Sequence, residues 1–540
     1  MTDMISSGVS ALLAYQTALN TVSNNIANAN TPGYSRQRTD MIADLNGGVQ
    51  VSQVTRLTSD QLFSRSLGDQ SNASRLDVFQ QTAAQVDSLM SGASSGLAAP
   101  LQKFFSALSG VAADPQSAAA RQTVLDSAGS LASQFNDLQG RLNSMNGDIN
   151  AQLSQSVDQI NQAAKSIAQL NNRIALAQNG GQAPNQLLDQ RDQLVSQLSQ
   201  QIGVTTVKQT DGSLNVFVAG GPALVLGATA QALNMVPNEY GSGGQDLAVG
   251  NPPVNVSGQI SGGTIGGLLA LRNQLIGPTE NKLGAIAAAV TQAVNAQHAQ
   301  GVDQNGQAGG AFFAPIGGVA APSGNNSGSA VVSVGLSDVS QIGTSNYVLR
   351  YDGSQWSLSD ASSGATVAMT GSGTAADPFV AAGMSLTVGA GAAAGDRYLV
   401  QPLTTAAGQM KVAISDPAAV AAAGASALGS RNSGDNSNAN LLAAIGDKAL
   451  LNGGKTSIHA ANIALVSQTG NIAQQAAASS TAAKAIQQQS ASALDSVSGV
   501  NLDEEAADLL RYQQAYQAAA QVVSMARDMF QSLLNATRGG

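Results

Sequence analysis

An apolar seven-residue repeat at both ends of this 540-residue chain limits its possible folds more than any other feature. The repeat runs through residues 4–29 and returns through residues 502–534, with most of the chain between them. A 3.5-residue apolar period is what a helix needs to pack along a supercoiled seam. The repeating positions, which we predict to pack subunits together, are Ile5, Leu12, Tyr15, Leu19, Val22 and Ile26 in the first segment and Leu502, Leu509, Tyr512, Tyr516, Val523, Phe530 and Leu533 in the second. The pattern predicts that the two ends meet in a coiled-coil stalk, as in a subunit that polymerises through its termini.

The two terminal helices are expected to need neighbours. A single pair of such helices buries too little apolar surface to offset the conformational entropy lost when both become ordered. We therefore expect both ends to be mobile in a monomer and ordered among neighbouring subunits. Exposed apolar rows also favour aggregation until a partner covers them.

The composition excludes several classes of partner and chemistry. A net charge of −9 and the lack of any Lys/Arg cluster argue against nucleic acid, whose binding requires basic side chains that displace counterions. Without cysteine, the chain forms neither a disulfide nor a thiolate site. No apolar run reaches the length of about 18 residues that indicates a membrane-spanning helix, and the sequence before Arg36 lacks the basic start of a secretory signal. If the protein leaves the cytoplasm, we expect another export route.

Local signals divide the chain into helical and β-rich parts. The first helix should end before Thr31-Pro32-Gly33-Tyr34, because proline disfavours helix at the preceding residue and Pro-Gly suits the centre of a type II turn. Asp211-Gly212 lies between two alternating runs and predicts a hairpin with a type I′ turn. Helical patterns cover residues 58–90, 115–174, 184–201, 266–299 and 416–540 with a loop at 429–440, and strand patterns cover residues 49–57, 202–260 and 331–400.

We predict an α+β multidomain fold in which paired terminal helices enclose a rod of long helices and inserted β-rich modules. The rod is indicated by the heptad rows at 131–174, where the step from Ile149 to Leu153 inserts a four-residue stutter. The predicted domains are residues 1–45 with 500–540 as the coiled-coil core, 46–201 with 405–499 as the rod, 202–330 as a β-rich module that includes the helix at 266–299, and 331–404 as an outer β module.

The candidate motifs favour structural roles over catalysis. The glycines at 262–267 resemble a phosphate cradle but lack a P-loop lysine and the GxGxxG spacing, so a flexible join is favoured. His298 and His459 lack metal-ligand spacing, and His298 is expected to close a helix. The acids at 503, 504, 505 and 508 follow Asn501 and are interpreted as helix capping. Trp356 is expected in a hairpin core, with surface binding as the alternative. We predict no enzyme activity, no cofactor and no metal site.

A family resemblance lies at the predicted end of the first helix. The stretch Asn28-Ala29-Asn30-Thr31-Pro32-Gly33-Tyr34-Ser35-Arg36 resembles the signature shared by flagellar rod, hook and hook-associated proteins. Its turn residues are Asn28, Asn30, Thr31, Pro32, Gly33 and Tyr34. Residues 500–535, 295–303 and 395–402 are similar to segments of the hook-associated members of this family. The resemblance thus touches both ends and the middle of the chain and covers the β modules poorly.

This resemblance implies a secreted structural subunit that joins the hook to the filament of the bacterial flagellum. Its terminal helices are expected in the axial core after type III export. The implied partners are further copies of the chain, the hook protein, the second hook-associated junction protein and the flagellar type III export apparatus. A FlgN-type export chaperone is expected to hold Leu509, Tyr516, Val523 and Phe530 before assembly. Nucleic acid and membrane insertion are not expected.

Two alternative functions stay open. A hook or distal rod axial protein shares the signature, although the long rod at 131–174 and the segment at 295–303 argue against it. A secreted adhesin or enzyme would use the β modules instead, although the sequence shows no convergent polar set and no conventional signal peptide.

Overall fold

The computed structural model describes residues 2–44, 47–180, 183–218, 221–242 and 244–538. Long helices and antiparallel sheets alternate along the chain, so the predicted α+β class is confirmed. The helices are α1 (Thr2–Ala27), α2 (Asp60–Ser91), α3 (Ala98–Ala113), α4 (Ala118–Asn179), α5 (Asn185–Gln201), α6 (Gly263–Leu271), α7 (Gly277–His298), α8 (Ser437–Ala443), α9 (Ile458–Ser498) and α10 (Leu502–Arg538). The strands are β1 (Gln37–Ala43), β2 (Val49–Arg56), β3 (Val204–Lys208), β4 (Leu214–Val218), β5 (Ala223–Leu226), β6 (Thr229–Ala230), β7 (Leu233–Pro237), β8 (Gln245–Val249), β9 (Val254–Asn255), β10 (Val319–Pro322), β11 (Val332–Leu336), β12 (Tyr347–Tyr351), β13 (Trp356–Asp360), β14 (Thr366–Val367), β15 (Phe379–Ala381), β16 (Met384–Val388), β17 (Arg397–Gln401), β18 (Ala449–Leu451) and β19 (Thr456–Ser457).

The rod predicted from the heptad rows is α4, a single helix of 62 residues. At 1.5 Å of rise per residue it is about 93 Å long. Ser117 caps its start by accepting a hydrogen bond from the Ala120 N–H at 3.2 Å. The predicted rows are buried on both sides of the stutter, including Leu142, Ile149 and Leu153. The apolar periodicity therefore identified the longest element of the body and its inward face.

The helical body is built around α7, in which residues 283–291 are all buried. The predicted helix at 266–299 is present as α6 and α7, which are joined by a π-helical turn at Arg272–Ile276. Around α7, α2 packs along α9, while α4 packs against α3 and α5. The helix α3, which the sequence pattern did not single out, contributes Phe104 and Phe105 to the same core.

Two β modules are inserted into the helical body. The inner module contains the sheets β3-β4-β5-β6 and β7-β8-β9. The outer module contains β10-β17-β12-β13-β14 and β11-β16-β15. In the outer module Leu349 pairs with Leu358, and both are fully buried. Trp356 is half-buried there, with its ring centroid 4.8 Å from that of Tyr351 and 6.0 Å from that of Tyr398, so it packs at the edge of the hairpin core.

The predicted hairpin of β3 and β4 is present, but its turn type was wrong. A type I′ turn needs positive φ at both central residues, and here Gly212 has φ +81° while Asp211 does not enter that region. The Gln209 N–H donates to the Ser213 carbonyl at 2.9 Å, which defines a three-residue loop. Asp211 instead accepts hydrogen bonds from the Ser213 N–H and hydroxyl, which forms an Asx turn.

The helix predicted from residue 416 onward was largely wrong up to residue 457, although the loop predicted at 429–440 is present through residue 436. This segment forms 3-10 turns, the short α8 and the hairpin β18–β19. Its backbone groups have partners elsewhere in the body, because buried Arg121 donates to the Val420 carbonyl and His298 Nε2 accepts from the Ala421 N–H at 2.9 Å. These tertiary bonds outweigh the helix propensity of an alanine-rich sequence.

The division into four domains remains an interpretation. The boundary between residues 45 and 46 lies within one hairpin, because β1 pairs with β2 from Gln37–Arg56 to Ala43–Val49. Leu45 and Asn46 themselves lie outside the described residues, as does Gly181, which lies between the helices predicted at 115–174 and 184–201.

Glu280 is a buried carboxyl group in the first turn of α7, and its Oε1 accepts a hydrogen bond from Asn146 Nδ2 at 3.2 Å. Burial raises the pKa of Glu280 to about 7 from its ordinary value of 4.5, and the bond from Asn146 opposes this shift only in part. Between these values the folded chain holds a proton that the unfolded chain has released. Its contribution to stability is therefore complete below about pH 4.5 and is lost as the pH rises through about 7.

The Glu280→Gln variant is expected to raise the free energy of unfolding by on the order of 3 kcal/mol at pH 8 and by less than about 1 kcal/mol at pH 5. The amide can still bond to Asn146 but carries no charge to desolvate. Urea denaturation of both proteins at both pH values measures the effect. Burial lowers the pKa of His298, which weakens the fold as the pH falls, but this residue is common to both proteins and cancels. An equal difference at the two pH values contradicts the prediction.

Candidate assembly site: the paired terminal helices

The two ends of the chain meet as an antiparallel pair, with α1 against α10. Near the tip of the pair Gly8 lies beside Val523, and midway the ring centroids of Tyr15 and Tyr512 are 6.4 Å apart. Near the body Asn25 is hydrogen-bonded to Glu505. The terminal repeats therefore form a common stalk.

The predicted packing residues divide into two groups. Val22 is buried, and Ile5, Leu12, Tyr15, Leu19, Ile26, Leu509, Tyr512 and Val523 are half-buried. Leu502, Tyr516, Phe530 and Leu533 remain exposed. Ala519 and Ala526, which are the small members of the row that contains Tyr512, are buried instead. Within one chain the seam therefore uses that row, whereas much of the row from Leu502 to Phe530 faces outward.

Gly8 allows the two helices to approach closely near the stalk tip. A Cβ atom on Gly8 would lie 2.5 Å from Val523 Cγ2. Valine is stiff about χ1, so it has little freedom to turn away from an added side chain. Gly8, Tyr15 and Val22 form one row at seven-residue intervals, and the first position of this row thus requires the smallest residue.

The Gly8→Val variant is expected to weaken the pairing of α1 and α10 by about 1–3 kcal/mol, because overpacking forces the helices apart. Amide hydrogen exchange should become faster in both helices around this position. Gly68→Val in α2 is the matched control, since a Cβ there meets no atom within 4 Å. Unchanged exchange in Gly8→Val contradicts the close contact.

The signature turn begins directly after α1. Tyr34 N–H donates to the Thr31 carbonyl at 3.1 Å, and Gly33 has φ +81°, so the predicted type II turn is confirmed. The Thr31 hydroxyl donates to Asn28 Oδ1 at 3.2 Å and ties the turn to the end of the helix. Asn30, Thr31, Pro32 and Gly33 are exposed, whereas Asn28 and Tyr34 are half-buried. The turn reverses the chain and directs the residues after it back onto the stalk.

Tyr34 and Asn25 connect the turn to both terminal helices. The Tyr34 hydroxyl donates to Asn25 Oδ1 at 2.8 Å, and this oxygen also accepts from the Gln37 N–H at 3.0 Å. Asn25 Nδ2 donates to Glu505 Oε2 at 2.9 Å and to the Gln37 carbonyl at 2.8 Å. Asn25 is 1% exposed, and both ends of its amide are satisfied. It therefore joins α1, β1 and α10 at one point.

Arg36 closes the same connection from the other side of Glu505. Its Nε donates to Glu505 Oε1 at 2.7 Å, its Nη1 donates to Glu504, and its Nη2 lies 3.9 Å from an Asp508 oxygen. Its backbone N–H donates to the carbonyl of Ser498 at the end of α9. We call Asn25, Tyr34, Arg36, Glu504 and Glu505 the terminal latch, since together they join the two ends of the chain where the stalk meets the body.

The latch is electrostatically matched. Glu505 is 1% exposed, and each of its carboxylate oxygens accepts a hydrogen bond. Burial lowers the pKa of Arg36, but hydrogen bonds to Glu504 and Glu505 outweigh this effect and leave the pKa above its ordinary value. Burial, followed by the charges of Asp189 and Glu505, raises the pKa of Tyr34 to about 12. Tyr34 therefore remains a neutral donor and Arg36 a full cation at neutral pH.

A second ion pair fixes the stalk to the body. Arg56, at the end of β2, forms bonds of 2.7 Å from its two terminal nitrogens to Asp189 and Asp192 of α5. Burial raises the pKa of Asp189 and the nearby Arg56 opposes that rise. A cavity of about 420 Å³ remains beside Arg56, lined in part by Tyr34, Phe63 and Leu494. The ion pairs of Arg56, rather than close packing, therefore hold β2 against α5 beside this cavity.

The sequence interpretation of the acidic cluster was incomplete. Asn501 Oδ1 accepts from the Asp503 N–H at 3.0 Å, which is a capping bond. Glu504 and Glu505, however, bind Arg36, which precedes them by more than 460 positions. The only local signal was an arginine in the signature and a pair of acids at the start of the last helix, and neither reveals the other as its partner.

The remaining motifs have structural roles. His298 Nδ1 lies 2.8 Å from the Gly310 carbonyl and its Nε2 accepts from Ala421, so the ring bridges the end of α7 to two loops. His459 packs edge-on against Phe105 at 5.5 Å. At Gly267 a Cβ would lie 2.5 Å from the Arg75 carbonyl oxygen, so these glycines allow α6 to pack closely on α2.

Over the described parts of the chain, no group of three or more His, Cys, Asp or Glu side chains is arranged to hold a metal. Within the same residues, no helix combines the length and apolar character needed to cross a membrane.

Both ends of the chain match family models of flagellar proteins. The model described as "Flagella basal body rod protein" matches residues 5–34, and "Flagellar basal body rod FlgEFG protein C-terminal" matches residues 491–536. A stalk built from these two ends, with the signature turn directly after its first helix, defines the class, the axial proteins of the bacterial flagellum. The middle is more specific: "Flagellar hook-associated protein FlgK helical domain" matches residues 83–313, and "Flagellar hook-associated protein 1, D2-like domain" matches residues 321–402. The chain belongs to the flagellar hook-associated protein 1 family.

Full-length relatives give the same result. The chain is 35% identical to flagellar hook-associated protein 1 of Salmonella typhimurium over 557 residues, with 99% of this chain and all of the relative covered. It is 33% identical to flagellar hook-associated protein 1 of Escherichia coli, with 99% and 100% covered. The structure of the flagellar hook junction protein FlgK from Burkholderia pseudomallei matches with a TM-score of 0.74 at 27% identity, covering 81% of this chain and all of that one. These matches do not favour the rod, hook, adhesin or enzyme alternatives.

Proposed function

We propose that this chain is a structural subunit that joins the hook of the bacterial flagellum to its filament and polymerises through its terminal helices. The observation that carries the proposal is the terminal stalk, in which the latch around buried Asn25 and Glu505 joins the two ends of the chain while apolar side chains remain exposed on α10. Exposed apolar surface of this kind is typical of a site where a partner packs.

The stalk and the body have different tasks in this proposal. The terminal helices pack in the axial core, and the helical body and the β modules extend outward from it. The chain travels to the growing structure by type III export and lies outside the cell at the hook–filament junction. Its neighbours are copies of itself, the hook protein and the second junction protein. It performs no catalysis and binds no cofactor.

An export chaperone of the FlgN type holds α10 before assembly. Tyr516 and Phe530 are 37% and 50% exposed, whereas Leu509 and Val523 are half-buried against α1. Full contact with all four predicted side chains therefore requires α1 to move aside. The chaperone and α1 compete for part of the same helix, so release of the chaperone lets the stalk close.

The test is electron microscopy of cells that lack this chain. The expected result is hooks without filaments, with flagellin lost to the medium, and recovery of filaments when the full chain is returned. Normal filaments in the deletion strain contradict the proposal. Rods without hooks indicate a hook or rod role instead.

A further inference from the structure

The helix α10 is longer than its partner α1, and the difference lies at the stalk tip. Their register is set by Asn25 at Glu505, Tyr15 at Tyr512 and Gly8 at Val523. Because the helices are antiparallel, the first residues of α1 lie near residue 528. The end of α10 from Met529 onward therefore extends past α1, and we call residues 529–538 the overhang.

The overhang has one apolar face. Met529, Phe530, Leu533 and Leu534 are 46%, 50%, 49% and 44% exposed. Residues four apart on a helix lie on the same side, so these four form a continuous surface. Leu533 also continues the row of Tyr512, Ala519 and Ala526 by one more heptad. Beside α1, Tyr512 of that row is half-buried and Ala519 and Ala526 are buried, whereas Leu533 beyond the start of α1 is exposed.

The first helix carries a matching surface on its outer side. Val9 and Leu13 are 42% and 61% exposed and lie four residues apart, away from the seam with α10. No charged residue follows Asp3 in α1, and none lies between Asp528 and Arg538. The two surfaces are therefore apolar and uncharged, and no other part of the chain that the structure describes covers either of them.

We propose that the Val9–Leu13 surface of a second copy of this chain docks on the overhang and continues the seam that α1 leaves incomplete. The inference rests on the proposed function and specifies which parts of the terminal helices contact each other. Within one chain Val9 lies level with about residue 522. Pairing with Leu533 requires a neighbour displaced by about 16 Å along the stalk, at 1.5 Å per residue. The contact joins two different surfaces. Each copy therefore binds one neighbour through its overhang and another through its Val9–Leu13 surface, as subunits in a ring or helical assembly do.

The absence of cysteine in the native chain makes the contact testable by disulfide trapping in isolated flagella. The Val9→Cys/Leu533→Cys variant, which joins the two positions that the displaced neighbour brings level, is expected to form bonds between copies, seen as dimers and longer ladders on non-reducing gels. Gly8→Cys/Val523→Cys is the matched control, since a Cβ at Gly8 would lie 3.7 Å from Val523 Cβ, within the range of a disulfide. The control should bridge within one chain and stay monomeric.

The outcomes separate this inference from the proposed function. If the chain is present in flagella and the control bridges, but Val9→Cys/Leu533→Cys gives no bond between copies, the docking is wrong. A bond from Leu533→Cys to a different flagellar protein also overturns it, because another partner then covers the overhang. If the chain is absent from hooks and filaments, the proposed function itself fails.

A second variant pair avoids dependence on the disulfide. Leu533→Ala/Leu534→Ala truncates two of the four apolar side chains of the overhang, including the one that docks with Val9, while keeping helix propensity, and its incorporation into flagella is expected to fall at least tenfold. Leu510→Ala is the control, because Leu510 is also exposed on α10 but lies in the part that runs beside α1. Normal incorporation of the double variant contradicts the proposal whether or not the cysteine variants assemble.

Discussion

Replacing Glu505 by alanine is expected to open the stalk where it meets the body. The change removes a carboxylate that is 1% exposed and accepts from both Arg36 and Asn25. Loss of one partner from a buried, hydrogen-bonded ion pair costs about 3–5 kcal/mol. We expect fast amide exchange in residues 21–37 and 502–508, which the latch protects in the native chain, and strongly reduced incorporation into flagella.

Glu504→Ala provides the matched control for this experiment. Glu504 binds the same guanidinium group, but its side chain is 57% exposed, and pairs of this kind contribute at most about 1 kcal/mol. Its exchange pattern should stay close to that of the native protein. Glu505→Gln should be intermediate, since an amide can still meet Asn25 but pairs poorly with Arg36. Equal effects of Glu504→Ala and Glu505→Ala would show that net charge, rather than the buried geometry, holds the ends together.

Deletion of residues 502–540 is expected to abolish assembly and chaperone binding while the body stays folded. Among the described residues, the main hydrophobic core runs through α2, α3, α4, α7 and α9 and includes no side chain of α1 or α10. The truncated chain should therefore unfold cooperatively near the temperature of the full chain. In a cell that lacks the native chain it should produce hooks without filaments.

Two measurements check the deletion. Thermal unfolding of the purified truncated chain reports on the body, and electron microscopy with a chaperone pull-down reports on the stalk. Filaments formed by the truncated chain contradict the role of α10. Loss of the cooperative transition contradicts the independence of the body, in which case missing filaments say nothing about the stalk itself.

The expectation that the ends are mobile in a monomer becomes more specific once the latch is known. Asn25 and Glu505 anchor the stalk next to the body, whereas the overhang has no partner at the tip. We therefore expect slow exchange near the latch and fast exchange toward the tip. Strong protection of the overhang in a verified monomer would argue against this gradient.

The sequence predicted the elements whose rules are local. Leu131–Ile174 follows a heptad, and a heptad on its own specifies one buried face, so α4 and its inward row could be identified. Pro32 fixes φ at the first central position and Gly33 permits the positive φ that the second requires, so the turn type could be predicted as well. The prediction of a type I′ turn at Asp211 was wrong because the Asp211 side chain accepts a hydrogen bond from the Ser213 N–H. An Asp-Gly pair is compatible with both a type I′ turn and this three-residue loop, and propensity does not decide between them.

The repeats at the two ends likewise determined that α1 and α10 are helices with apolar rows and that they belong together. Only the tertiary structure decided which row of α10 meets α1. Helices approach most closely where Gly8, Ala519 and Ala526 are small, and that distance depends on both helices at once. It also paired Arg36 with Glu505 across almost the entire chain, because a buried charge is stable only beside the partner that the fold brings to it.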